Sequence, residues 1–104
     1  MGESVADIGG LMVAYDAYHL SLRGRRDIVR NGLTGDQRFF IAFAQRWRRL
    51  QTDAALRTQV DGDTHAPPSC RAGLVRNAAA WVGAFGIAPG DPMFLPPDKR
   101  IAVW

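Results

Sequence analysis

Residues 3–18 read Glu3-Ser4-Val5-Ala6-Asp7-Ile8-Gly9-Gly10-Leu11-Met12-Val13-Ala14-Tyr15-Asp16-Ala17-Tyr18, and this stretch decides the fold. Val5, Ile8, Leu11, Met12, Tyr15, Tyr18 and Leu22 recur at three-and-four spacing, which predicts an amphipathic helix running to about Ser21. Glu3 and Asp7 stand four apart, so a helix projects both from one face. Two readings of that pair are open. Carboxylates in a first turn complement the helix dipole; alternatively, one binds a cation while the other supports a neighbouring ligand. Gly9 and Gly10 each cost a helix interior about 1 kcal/mol relative to Ala, so they predict close packing of another element against the backbone.

Outward from this helix, residues 23–32 are charged and irregular and end in the turn dipeptide Asn31-Gly32. Thr34-Gly35-Asp36-Gln37 has the form of a capping box and starts a second helix. Its apolar stripe is Phe39, Phe40, Phe43, Trp47 and Leu50, which reads as core. A shorter helix is expected over residues 53–60, with Asp53 as N-cap, closing at the acidic turn Asp61-Gly62-Asp63. His65-Ala66-Pro67-Pro68 cannot be helical at Ala66, because a following proline forces extended geometry, so His65 is held on a rigid loop. Asn77 is the expected cap of a last short helix over 78–85 carrying Trp81 and Phe85, and Gly86 is placed to end it. Residues 88–92 form a turn, and residues 93–104 read as an extended, Pro-interrupted tail with Trp104 as a packed anchor. The expected fold class is mostly α, with irregular Pro-rich loops, and the expected organisation is one unit over residues 1–104.

Composition narrows the class. An apolar fraction of 47% and an aromatic fraction of 10% are those of a folding chain rather than a disordered one. The net charge of +3 permits nucleic-acid binding. Twelve of the thirteen basic residues are Arg, however, and they are dispersed, the tightest groups being Arg23/Arg25/Arg26 and Arg46/Arg48/Arg49; no nucleic-acid partner is expected. Cys70 stands alone, which excludes an intrachain disulfide. No signal peptide opens the sequence, and no apolar run approaches the roughly 20 residues of a membrane span, so the segment reads as soluble.

Several motifs occur in a fixed order: Glu3-x-x-x-Asp7-x-Gly9-Gly10, then Leu33-Thr34-Gly35-Asp36-Gln37-Arg38-Phe39-Phe40, Ala44-Gln45-x-Trp47-Arg48, His65-x-Pro67 with Arg71, Asn77, Ala84-Phe85, Pro89-Gly90-Asp91, and Pro96-Pro97 to Trp104. In this the chain resembles the C-terminal portion of neprilysin-like zinc metallopeptidases, which include endothelin-converting enzymes and bacterial oligopeptidases. The resemblance implies that the chain is a small helical part of a larger zincin-like catalytic domain that hydrolyses peptide bonds with zinc-activated water. It implies Glu3 as the third zinc ligand and Asp7 as the carboxylate that fixes the tautomer of a zinc-binding histidine. It also implies His65 as donor to the oxyanion at the scissile carbonyl and Arg71 as the group that binds a substrate backbone carbonyl. Without it, His65 reads as a loop histidine and Arg71 as a surface arginine.

Departures from the family pattern are Ser4 where Asn is usual, Ala66 where Ser follows the loop histidine, and Trp81 where Phe is common. Ala102 stands in the region where animal members carry a cysteine, which points to a bacterial-type relative. The largest departure is the lack of HExxH, whose two histidines and glutamate supply the other ligands and the general base. This chain has only His19 and His65, and His19 reads as a partly exposed helix residue. The expectation is therefore a fragment, or a mis-started frame, that binds no tight zinc and is inactive alone, needing an HExxH-bearing segment as partner. Its first helix would expose an apolar face prone to self-association. A non-catalytic peptide-binding or interaction module is the alternative.

Overall fold

The periodic apolar residues of the opening stretch form the longest element of the computed structural model, which describes residues 2–63 and 65–103. The order is α1 (Gly2–Ser21), α2 (Gly35–Arg46), α3 (Asp53–Gly62), α4 (Pro68–Ala72), a 3-10 turn (Gly73–Asn77), α5 (Ala79–Phe85) and a second 3-10 turn (Pro97–Lys99). The mostly α class is as the sequence predicts, and no strand forms among the described residues beyond one bridge between Arg30 and Leu33.

Helix α1 buries Ile8 and Leu11, and Leu11 joins Phe40, Val75, Ala78 and Trp81 in the core, with Met12, Tyr15, Phe39 and Phe43 packed around it. The residues that close the loop before α2 behave as expected. Asn31 and Gly32 both take left-handed φ (51° and 75°), the turn that reverses a chain in two residues, and Arg30 and Leu33 exchange backbone hydrogen bonds of 3.0 and 2.9 Å across it. Thr34 Oγ1 then accepts from the Gln37 amide while Gln37 Oε1 accepts from the Thr34 amide, so the capping box is complete. Gln37 Nε2 also donates to the Ala84 carbonyl, tying the start of α2 to the end of α5.

Several boundaries differ from the sequence expectation. Helix α2 stops at Arg46, because the Trp47 amide turns back to the Ala44 and Gln45 carbonyls, so Leu50 leaves the stripe and is fully exposed at 102%. Thr52, not Asp53, caps α3, accepting from the Ala55 amide. Asn77 does not cap α5. Its amide donates to the Leu74 carbonyl and its carbonyl accepts from the Ile101 amide, pinning the tail instead. That tail is not wholly extended, since Pro97–Lys99 winds into a 3-10 turn. Gly86 ends α5 at φ 62° as predicted, and Trp104 lies outside the described residues.

Two tyrosines of α1 anchor the loop and α2. Tyr15 donates to Asp36 (2.8 Å) and Tyr18 to Asp27 (2.7 Å), and His19 Nε2 lies 2.7 Å from Asp36 Oδ1. Desolvation, reinforced by the neighbouring carboxylate, pushes each phenol up to about 12. Asp27 is held below its usual range by the Tyr18 hydroxyl. Gly35 passes directly beneath this contact, and a β-carbon there would strike the Tyr18 hydroxyl and lie 2.8 Å from Asp27 Cβ.

Because the folded phenols hold their protons up to about pH 12 while unfolded ones release them near 10, their contribution is fully present below pH 10 and is lost as pH rises toward 12. The melting temperature should fall across that window, and Tyr15→Phe combined with Tyr18→Phe should flatten the fall; an unchanged slope would contradict the linkage. Gly35→Ala should destabilise by about 1–3 kcal/mol through overpacking, read by urea denaturation, with the loss shrinking when Tyr18→Phe removes the struck hydroxyl.

Candidate active-site residues on one face of the fold

The chain places its two sequence-singled carboxylates on the first two turns of α1, where the helix spacing aims them to one side. On that side lie Asp63, His65 and helix α4, which begins at Pro68 with Pro67 as its N-cap, the prolines occupying positions where a helix lacks amide partners anyway. Helix α4 carries Arg71, so its side chain reaches back to α1.

The result is two side-chain pairs made across more than sixty residues, Asp7 with Arg71 and Glu3 with His65. Arg71 Nε and Nη2 donate to Asp7 Oδ2 and Oδ1 at 2.6 and 2.7 Å, a bidentate arrangement that fixes orientation as well as charge. Both side chains are largely shielded, and the hydrogen bonds to Asp7 raise the Arg71 guanidinium further above its ordinary value. Glu3 Oε2 lies 4.0 Å from His65 Nε2, both groups remaining about half exposed at 58% and 48%.

His65 has a second carboxylate. Asp63 Oδ1 accepts from the His65 amide at 2.9 Å and lies 3.0 Å from its Nδ1. An ionised carboxylate only accepts, so this contact assigns a proton to Nδ1 and turns Nε2 toward Glu3. In such a ring, donation from Nε2 to a third group uses the doubly protonated imidazolium.

Reading Arg71 as a surface arginine therefore fails, and Asp7 engages Arg71 with both oxygens. Two neighbours carry more than their sequence pattern indicates. Asp63 belongs to the acidic turn, and an acid two residues before a loop histidine is the signal for such a local clamp. Trp47, part of the apolar stripe of α2, lies with its ring under the Arg71 guanidinium, 4.1 Å from Cζ to the ring centroid. Its indole nitrogen is buried with no hydrogen-bond partner among the described residues. Beside it, Ala6, Gly10 and Ala14 of α1 and Phe39, Ala42 and Phe43 of α2 line a groove that ends at Asp7 and Trp47. Gly9 is buried but Gly10 is open, with nothing within 4 Å of a β-carbon built there, so the close packing predicted for the glycine pair is not met at Gly10 by this chain.

Among the described residues no group of three His, Cys, Asp or Glu side chains could hold a metal ion, and no helix is long and apolar enough to cross a membrane. Glu3 fits one position of a zinc site, an exposed carboxylate of the right donor type, and the chain's described residues do not complete that site.

The profile of Peptidase family M13 matches residues 1–101. An endothelin-converting enzyme homolog of Locusta migratoria is 37% identical over 108 residues, covering 100% of this chain and 15% of the relative. The human endothelin-converting enzyme-like 1 is also 37% identical, with 14% of its length covered. Among solved structures, the zinc metalloprotease Zmp1 of Mycobacterium tuberculosis, in an open state and in complex with an inhibitor, superposes with a TM-score of 0.95 at 41% identity over 99% of this chain and 16% of that one. The chain thus spans about one seventh of the curated relatives it matches.

The Asp7–Arg71 pair is open to a double-mutant test. Asp7→Asn and Arg71→Gln should each lower the melting temperature, and the double variant should lower it by less than the sum, because each single change strands one shielded charge. Strict additivity would show that the two side chains do not interact.

Proposed function

The chain belongs to Peptidase family M13, and from that premise we propose that it is the C-terminal portion of a zinc metalloendopeptidase of the neprilysin type, contributing one zinc ligand and the groups that handle the peptide. Zinc, when bound, polarises the scissile carbonyl and activates water; the histidines and the general base come from an HExxH-bearing segment outside these residues.

Within that reading Glu3 is the third ligand. Asp7 keeps lone pairs beyond the two that Arg71 occupies, so it can accept from a ligand histidine and hold that ring's tautomer while also fixing the arginine. His65, clamped at Nδ1 by Asp63, donates from Nε2 to the oxyanion. Arg71 binds a substrate backbone carbonyl, where its planar fork orients a peptide.

The observation that carries the proposal is the convergence of these four residues as two side-chain pairs, Asp7 with Arg71 and Glu3 with His65, on one side of the fold. A second feature supports it. Below Glu3, the α1 residues Ala6, Gly10, Val13, Ala14, Ala17 and Leu20 form an exposed stripe of small and apolar groups, with Val13 and Leu20 at 55% and 78%. A helix apolar on both faces is one that is covered on both, and here the second face begins at the proposed ligand. The isolated chain is accordingly inactive.

Zinc stoichiometry tests the proposal. The 104-residue chain should retain no stoichiometric zinc after dialysis. A complete peptidase carrying these residues together with HExxH should hold one zinc; Glu3→Gln should abolish retention and Asp7→Asn should weaken it about 10–100-fold. Tight metal on the isolated chain, or full retention in the Glu3→Gln enzyme, would refute the assignment.

A further inference from the structure

Two parallel hydrogen bonds fix a guanidinium in its own plane but leave one soft motion. The group can still hinge about the line joining the two carboxylate oxygens. For Arg71 that line is the edge formed by Nε and Nη2 on Asp7, and the motion swings Nη1, which has no hydrogen-bond partner among the described residues.

Trp47 stands where that motion must be stopped. Its ring centroid is 4.1 Å from Arg71 Cζ, the distance of a guanidinium lying against an aromatic face. The ring is itself held: the Trp47 amide closes the end of α2 on the Ala44 and Gln45 carbonyls, Phe43 packs edge-on at 6.3 Å, and the indole nitrogen is buried. Arg46 Cζ lies farther from the ring, at 5.5 Å. Trp47 also lines both the α1–α2 groove and the cleft running past Pro67 and Pro68, so it forms the wall between them.

We propose that Trp47 is a positioning residue for Arg71, its indole face setting the plane of the guanidinium and so the direction in which Nη1 is offered. This deepens the proposed function, since it rests on Arg71 as the donor to a peptide carbonyl. It assigns the α2 terminus a part in substrate orientation beyond packing. Three elements then determine one donor: α4 carries it, α1 fixes its edge and α2 fixes its face.

The test reads the arginine directly by NMR on the 104-residue chain, independent of catalysis. In the unaltered chain the Arg71 δ and ε protons should resonate upfield of those of Arg38 and Arg76 through the ring current, and the Arg71 Nε–H should exchange slowly. Trp47→Leu should raise that exchange rate about tenfold, a shift within the range of a stacking contact, and Trp47→Phe should restore most of the protection. Normal ring-current positions in the unaltered chain would overturn the proposal even if the leucine variant failed to fold. Unchanged exchange in Trp47→Leu, or no rescue by Trp47→Phe in a folded chain, would overturn it equally. Failure of zinc binding in a complete enzyme would leave these signals untouched and would count only against the peptidase reading.

Discussion

Arg71 gives two donors to the two oxygens of Asp7 across 64 residues of sequence, and the arrangement of the candidate site depends on that pair. It joins α4 to α1 at the end of the fold where Glu3 and His65 also meet. Beside it, His65 approaches α1 only through the longer, half-exposed 4.0 Å contact with Glu3 among the described residues. The pair also sets a chemical constraint. A single carboxylate faces the arginine with one set of lone pairs and remains able to accept with another, so metal-side and peptide-side groups in the proposed enzyme share one anion.

The rest of the structure is consistent with a chain that is covered by more protein than these residues contain. Its buried apolar core has few members, centred on Leu11, Phe40, Val75, Ala78 and Trp81. Its radius of gyration, 15.2 Å, exceeds the roughly 13 Å of a compact domain of this length. One face of α1 packs on that core while the other is apolar and exposed, and Trp47 keeps a buried N–H without an acceptor among the described residues, a state that ordinarily costs about 1–3 kcal/mol. Ala6, Gly10 and Ala14 of that exposed face and Trp47 line one groove together with Asp7.

Much of this was legible in the sequence, and for identifiable reasons. The three-and-four spacing gave α1 its length, the Thr34/Gln37 box gave α2 its start, and Asn31-Gly32 and Gly86 gave their turns, because each of these signals is local. Element ends set by competition were not legible. Helix α2 ends at Arg46, where the Trp47 amide turns back to the Ala44 and Gln45 carbonyls, and the contact of the Trp47 ring with Arg71 joins residues 24 apart, which no periodicity encodes. Asn77 has a capping residue's chemistry and uses it on the tail, since Ile101 lies within reach only after folding. The four candidate residues could be named from ordered motifs, but the pairing of Asp7 with Arg71 and of His65 with Glu3 could not, because both are contacts of tertiary structure.

In the proposed enzyme Glu3 is a zinc ligand and Asp7 is the carboxylate that links a ligand histidine to Arg71. Anomalous diffraction at the zinc edge, on crystals of a complete peptidase containing these residues, tests both roles. A zinc peak is expected about 2.0–2.2 Å from a Glu3 carboxylate oxygen, with Asp7 accepting at once from a ligand imidazole and from Arg71. A zinc peak with no contact to Glu3, or an Asp7 that releases Arg71 to reach the histidine, would contradict it.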